Sequence, residues 1–389
     1  MLVSLVQRTF LIFIFLLLSQ EVSAAGVNGQ VYDNFHSVRA MGMGNAYSAI
    51  VSDSDALFYN PAGIARIAGF NWTIADPWVG VSGVEAFEDV QDIQDSDTFA
   101  DSVNALYGDR VWLGAGLKST FGIPYFAVGV YDHLNASLDI NNPVYPNLDI
   151  AAVNDYGYVM GLGIPILPVF ELGFVLKYIQ RTGARVPFGP SFVSSLDPDS
   201  IRSNVERKGT GYGLDLGANF RIPGPLSMVL SGVWKNVGEM SFRPDSGEPP
   251  PSEPNEMNVA AAVELDVPLL EVRPTVEFKH LNRSDIQLGK KIHLGLEVSL
   301  PLIDVRGGFH QGYYTAGAGV NLGVLRVDVA TWGVEMGDYP GQKEDRRYAV
   351  QATIELGFDP NLSFLGGGSG GSGGGSSANS PFRRLKQRR

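Results

Sequence analysis

Cysteine is absent from the 389-residue chain. Disulfides, cysteine metal sites and cysteine nucleophiles are thereby excluded, and so is a lipid anchor on an N-terminal cysteine. Charge is sparse, at 18% of residues, and the net charge is −12. Such a chain lacks the basic surface needed to meet phosphates, so no nucleic-acid partner is expected. Histidine is limited to His36, His133, His280, His293 and His310, none in His-x-x-x-His or His-Glu-x-x-His spacing. That argues against a zinc hydrolase. No serine can be paired with His293 along the sequence, so no catalytic residue is assigned and the chain is not read as an enzyme. No phosphate-binding Gly-x-x-x-x-Gly-Lys-Ser/Thr motif occurs. The acidic stretch 80–109 offers Asp95 and Asp97 as oxygen ligands but no ordered calcium pattern, so neither a metal nor a cofactor is expected. After residue 18 no apolar run is long enough to cross a bilayer as a helix.

What is present begins with Met1 to Ala24, which reads as a signal peptide: Arg8 as the basic start, Phe10 to Leu18 as the apolar core, and Val22-Ser23-Ala24 as the cleavage site. Downstream, apolar and polar residues alternate again and again. Leu214, Leu216, Ala218 and Phe220 share one face, opposite Asp215, Gly217, Asn219 and Arg221. Ile292, Leu294, Leu296 and Val298 oppose Lys291, His293, Gly295 and Glu297. Period two sustained this long marks strands with one apolar face, longer than those of a soluble sandwich. We read 14 strands, near 69–79, 110–119, 124–140, 155–164, 169–181, 209–221, 224–236, 256–266, 270–280, 290–300, 303–311, 313–322, 325–335 and 347–358. Boundary error leaves 12 and 16 as the alternatives.

Connections alternate too. Six are short and rich in Pro, Gly or Leu, such as Phe121-Gly-Ile-Pro124 and Ile222-Pro-Gly-Pro225. The others are long and polar, apart from a tight Gln311-Gly312 turn; 244–254 is proline-rich and expected to be extended. Short turns on one rim and long loops on the other are the pattern of an outer-membrane barrel, short turns toward the periplasm. The expected fold is therefore all-β, a 14-stranded antiparallel transmembrane β-barrel spanning 69–358, with both termini periplasmic. The lumen-facing candidates are Asp215, Glu277, Lys279, Lys291, His293, Glu297, Arg326 and Asp328, with Glu171, Lys177, Arg221 and Glu355 beside them. Charges of both signs imply a hydrated or plug-filled lumen in which they pair. His293 is expected to be a satisfied polar residue of that lumen.

The last strand runs from Tyr348 to Phe358 and ends on an aromatic, which resembles the signal read by the barrel assembly machinery. A Gly/Ser-rich stretch, Leu365 to Asn379, follows and is expected to be a disordered linker to a basic tail, so that 359–389 forms no part of the barrel.

Between signal peptide and strands lies the block from Arg39 to Arg66, within an N-terminal segment 25–68. It carries Gly42 and Gly44, then Asp53 to Ala56, then Asn60-Pro61-Ala62-Gly63. This ordered set resembles the N-terminal plug of the FadL-like outer-membrane transporter superfamily and of the related PorV-like barrel of type IX secretion. The resemblance implies 14 strands around a plug, in the outer membrane of a Gram-negative bacterium. It implies a channel for hydrophobic small molecules such as fatty acids, with lateral exit into the bilayer as one route. The run Arg306-Gly-Gly-Phe-His-Gln-Gly312, with Arg346-Arg347-Tyr348, is closer to the secretion branch, for which the partner would be a secreted protein. Lipopolysaccharide and outer-membrane lipid are expected around the barrel on either reading.

Overall fold

The computed structural model describes residues 35–83, 110–141, 147–188, 206–224, 226–267 and 269–358. The signal peptide, most of the acidic 80–109 loop and the Gly/Ser tail lie outside the described residues.

Alternating residues form strands because lipid meets one face and a wet, plugged lumen the other. The strands are β1 (Phe70–Ala75), β2 (Trp78–Ser82), β3 (Arg110–Ile123), β4 (Phe126–Asn141), β5 (Asn147–Leu167), β6 (Phe170–Phe188), β7 (Lys208–Ile222) and β8 (Ser227–Lys235). They continue with β9 (Phe242–Pro244), β10 (Glu256–Val267), β11 (Leu270–Phe278), β12 (Ile292–Ser299), β13 (Ile303–His310), β14 (Tyr313–Asn321), β15 (Leu325–Glu335) and β16 (Glu344–Phe358). All pair antiparallel with their neighbours. Both β1 and β2 pair with β3 on one side and β16 on the other, which closes the sheet. They are two halves of one stave, and β9 is a three-residue annex on β7, so the barrel has 14 staves.

Three expectations about strands need correction. The stave expected over 69–79 is interrupted at Asp76-Pro77, where proline has no N–H to donate. Strand β5 starts at Asn147, not near 155, and β6 runs to Phe188, not 181. There Asp149 to Asn154 are half-buried on both faces, so the alternation between the two faces fades. The connection 237–255, where no strand was expected, also carries a short strand, β9, and a bridge between Met240 and Glu253.

Outward residues such as Leu117, Met160, Ile164, Leu176, Leu296 and Val329 are exposed as a continuous apolar band. Aromatics border it: Trp72, Phe121 and Tyr125 toward the short-turn rim, and Tyr156, Tyr158, Tyr212, Tyr314 and Tyr348 toward the other. On β5 the band runs from Tyr158 to Ile166; at ~3.3 Å per residue and a tilt of ~40° that is a height of ~20 Å, close to the apolar belt of outer-membrane barrels. Tyr158 pairs with Tyr178, and Tyr178 with Tyr212, so three strands carry one row of rings.

Candidate functional site: the seated plug and the cavity above it

Residues 35–67 fill the lumen with short turns: α1 (Val38–Gly42), α2 (Ala56–Tyr59) and a 3₁₀ turn, Pro61–Arg66. Small residues and turn formers suit a backbone that must touch other backbone. Gly44 has φ +64 and sits against the carbonyls of Leu294 and Phe309, where a Cβ has no room. A Cβ on Gly42 would lie 3.2 Å from the Cα of Gly317. Gly63 closes against the carbonyl of Val51 within the plug. The wall reciprocates: Gly173 and Gly217 give way to Pro61 and Asn60, and Gly295 and Gly308 to Met43.

Polar groups then fix the seat. Asn60 donates from Nδ2 to the Ser48 carbonyl (2.8 Å) and to Asn219 Oδ1 on β7 (2.8 Å), while its Oδ1 accepts from Ala62 N–H (3.0 Å). Pro61 follows at the first position of the 3₁₀ turn, where its missing N–H costs nothing. Glu277 accepts from the N–H groups of Tyr47 and Ser48 and from the Ser48 hydroxyl. Thr315 donates to the Gly42 carbonyl (3.0 Å), and Val38 N–H donates to Gln351 Oε1 (2.7 Å). His293 Nδ1 lies 2.8 Å from the Gly44 carbonyl and 3.2 Å from His310 Nδ1, so His293 is a positioned lumen residue.

Charges form two knots. In the first, the guanidinium of plug residue Arg39 grips Glu297 through two bonds (2.8 and 2.6 Å). Arg306 donates to Glu297 (2.7 Å) and Asp328 (2.6 Å), Arg326 reaches Asp328 (2.9 Å), and Arg273 reaches Glu297 (3.1 Å). In the second, Lys118 donates to plug residue Asp55 and to the His36 carbonyl, both at 2.6 Å, and to Asp76 at 3.2 Å. Burying such charges is costly unless each is paired, and here the plug supplies part of the pairing. Asp53, from the expected motif, is 4.0 Å from Arg39 and accepts the N–H of Asp55 (2.9 Å).

The candidates read from sequence divide accordingly. Glu277, His293, Glu297, Arg326 and Asp328 gather around the plug, whereas Asp215 pairs with Lys177 (2.7 Å) at the cavity wall. Lys291 is not on a strand. It ends the helical turn α3 (Leu288–Lys291), and its ammonium donates to the Arg283 carbonyl within the same loop, not to the lumen network. Tyr348 faces outward; Phe358 pairs with Phe70 at the seam. Sequence reading missed Arg39 and Lys118 as ion-pair anchors, because their partners lie on distant staves. It also missed Arg181, which donates to Asp155 (2.7 Å), Glu253 and the Pro251 carbonyl (2.7 Å) and stacks on Phe242. That cluster ties the 237–255 loop, a flap whose residues Pro251 to Pro254 line a cavity, to β5 and β6. Burial alone would raise the Glu253 carboxyl, but Arg181 and Lys177 outweigh it and hold it down at about 2.

Between this flap and the plug lies a cavity of about 770 Å³. Its lining includes the plug residues His36, Leu57 and Phe58 with Tyr131, Val159 and Ile179 of the wall. His36 stacks on Phe58 (4.3 Å between ring centroids) and meets Tyr131 edge-on (5.0 Å). The arrangement is an aromatic floor beneath polar walls.

No family profile and no curated protein matches the sequence. Among solved structures, the chain is similar to the toluene transporter TbuX of Ralstonia pickettii (11% identity, 82% of this chain and 97% of that one, TM-score 0.46). It is similar to the toluene transporter TodX of P. putida (8%, 81% and 96%, TM-score 0.43). CdiB from Acinetobacter baumannii, also similar, gives 10% identity, 75% and 60% coverage and a TM-score of 0.35. The architecture of a plugged, lipid-facing barrel stands on the strand pairing and the apolar band themselves.

Proposed function

We propose that this chain is a plugged outer-membrane channel that admits hydrophobic small molecules, such as fatty acids, with both termini on the periplasmic side. One observation carries the reading: the plug itself builds the floor of a cavity at the long-loop end, with Leu57 and Phe58 turned to that space. A seal that also lines a binding space suits gated passage better than a static support. The short-turn rim holds the start of β1 and the end of β16, which supports a periplasmic position for both termini.

A role in protein secretion would rest on the run 306–312. Its inward residues are engaged in holding the plug: Arg306 in the charge knot, Gly308 against Met43 and His310 beside His293. That leaves the channel reading in front.

The test is single-channel conductance in planar bilayers, intact protein against a deletion of residues 36–66. The deleted form is expected to insert and conduct ions, and to lose uptake of a hydrophobic solute in proteoliposomes. Equal conductance of the two would overturn the reading.

A further inference from the structure

Lys279 stands apart from the other cations of the cavity. It is 3% exposed and lines the cavity, two residues beyond Glu277, which holds the plug. Lys177 is neutralised by Asp215, Arg181 by Asp155 and Glu253, and Arg283 by Asp285. Among the described residues no carboxylate or hydrogen-bond acceptor meets the Lys279 ammonium. Among the described lining residues, seven Lys and Arg face six Asp and Glu, one positive charge in excess. The Lys279 ammonium reaches the cavity, where an incoming carboxylate can form a charge-assisted contact that a hydrocarbon cannot.

We propose that the cavity binds a small aromatic carboxylate, with Lys279 as its counter-ion and the ring received by the His36, Phe58 and Tyr131 group. The three rings, 4.3 to 5.5 Å apart between centroids, match a flat apolar body that packs on aromatic faces and edges. The volume lies within the range of small-molecule sites. The inference rests on the channel reading above and narrows it, from hydrophobic small molecules in general to a short aromatic acid.

The experiment uses purified full-length protein in detergent, with radiolabelled benzoate, hexanoate and toluene in equilibrium dialysis, on wild type, Lys279→Met and Lys279→Arg. Each variant is first checked for a folded barrel by heat-modifiable migration. Benzoate is expected to bind wild type and Lys279→Arg, and to weaken about tenfold or more in Lys279→Met, the loss expected for one charge-assisted contact. Toluene binding should not change between wild type and Lys279→Met. Benzoate affinity unchanged in Lys279→Met overturns the proposal. So does hexanoate binding as tightly as benzoate, or toluene binding without benzoate; these last outcomes leave the channel reading intact. Failure of the channel reading shows separately, as equal conductance with and without residues 36–66.

Discussion

Glu277 and Ser48 are 229 residues apart in sequence, yet one carboxylate accepts both the backbone N–H (3.1 Å) and the hydroxyl (2.7 Å) of Ser48. A wall residue thus binds the plug at one point through a charge-assisted fork. Replacing Glu277 by alanine leaves the N–H groups of Tyr47 and Ser48 buried and unsatisfied. The expected cost is about 3 kcal/mol in plug seating. Because the chain has no cysteine, a single Ser48→Cys probe reports the result. Its labelling by a water-soluble maleimide should be faster in the Glu277→Ala background. Equal labelling rates would show that Glu277 does not retain the plug.

Gly42 and Gly44 should differ in tolerance. Alanine at Gly44 meets two carbonyls and must also hold a left-handed backbone, whereas alanine at Gly42 faces a contact of 3.2 Å with Gly317. Overpacking costs roughly 1–3 kcal/mol, with the strained backbone added at Gly44. Gly44→Ala is therefore expected to raise ion leakage through single channels more than Gly42→Ala. The reverse order would mean that the plug turn relaxes freely at Gly44.

The flap over the cavity should be stable to acid. The Glu253 carboxyl is depressed to about 2 in the folded protein by Arg181 and Lys177, acting against burial. A depressed carboxyl contributes stability above its unfolded value, and that contribution is lost as pH falls through the folded value. Protection of residues 237–255 against hydrogen exchange, relative to the intrinsic rate at each pH, should stay high from pH 7 to about pH 4 and fall toward pH 2. In Glu253→Gln the protection should be low throughout. A sharp opening near pH 5 would assign the control to another group.

Closure of the sheet through β1, β2 and β16 predicts behaviour on gels. Unheated protein should migrate ahead of boiled protein, because a closed barrel has no free strand edge and resists detergent. The protein should also fractionate with outer membranes. Recovery from the soluble periplasm would contradict the lipid-facing band.

The staves were legible because each carries its own local signal: Leu294 and Leu296 out, His293 and Glu297 in. The turn glycines were legible too, since Gln311 (φ +50) and Gly312 (φ +94) form the tight hairpin their identities call for. Pairing across the lumen was not. Nothing near Arg39 in sequence points to Glu297, 258 residues away, and nothing near Lys118 points to Asp55. Lys291 was misplaced because alternation continues by chance into the helical turn before β12. The break at Asp76 was hidden for a related reason: Lys118 and Thr353, which hold that carboxylate, come from other staves.

The long strands β5 and β6 reach well past the tyrosine row. From Tyr156 to Asn147 the chain climbs about 30 Å along the strand, or ~20 Å above the apolar band at a tilt of ~40°. Ala151, Val153 and Arg185, on that raised portion, line the cavity. The cavity therefore reaches above the height of the apolar band. On the channel reading, a solute dissolved in the surrounding lipid would have to leave it to reach that part of the wall, so partitioning into the membrane would compete with entry.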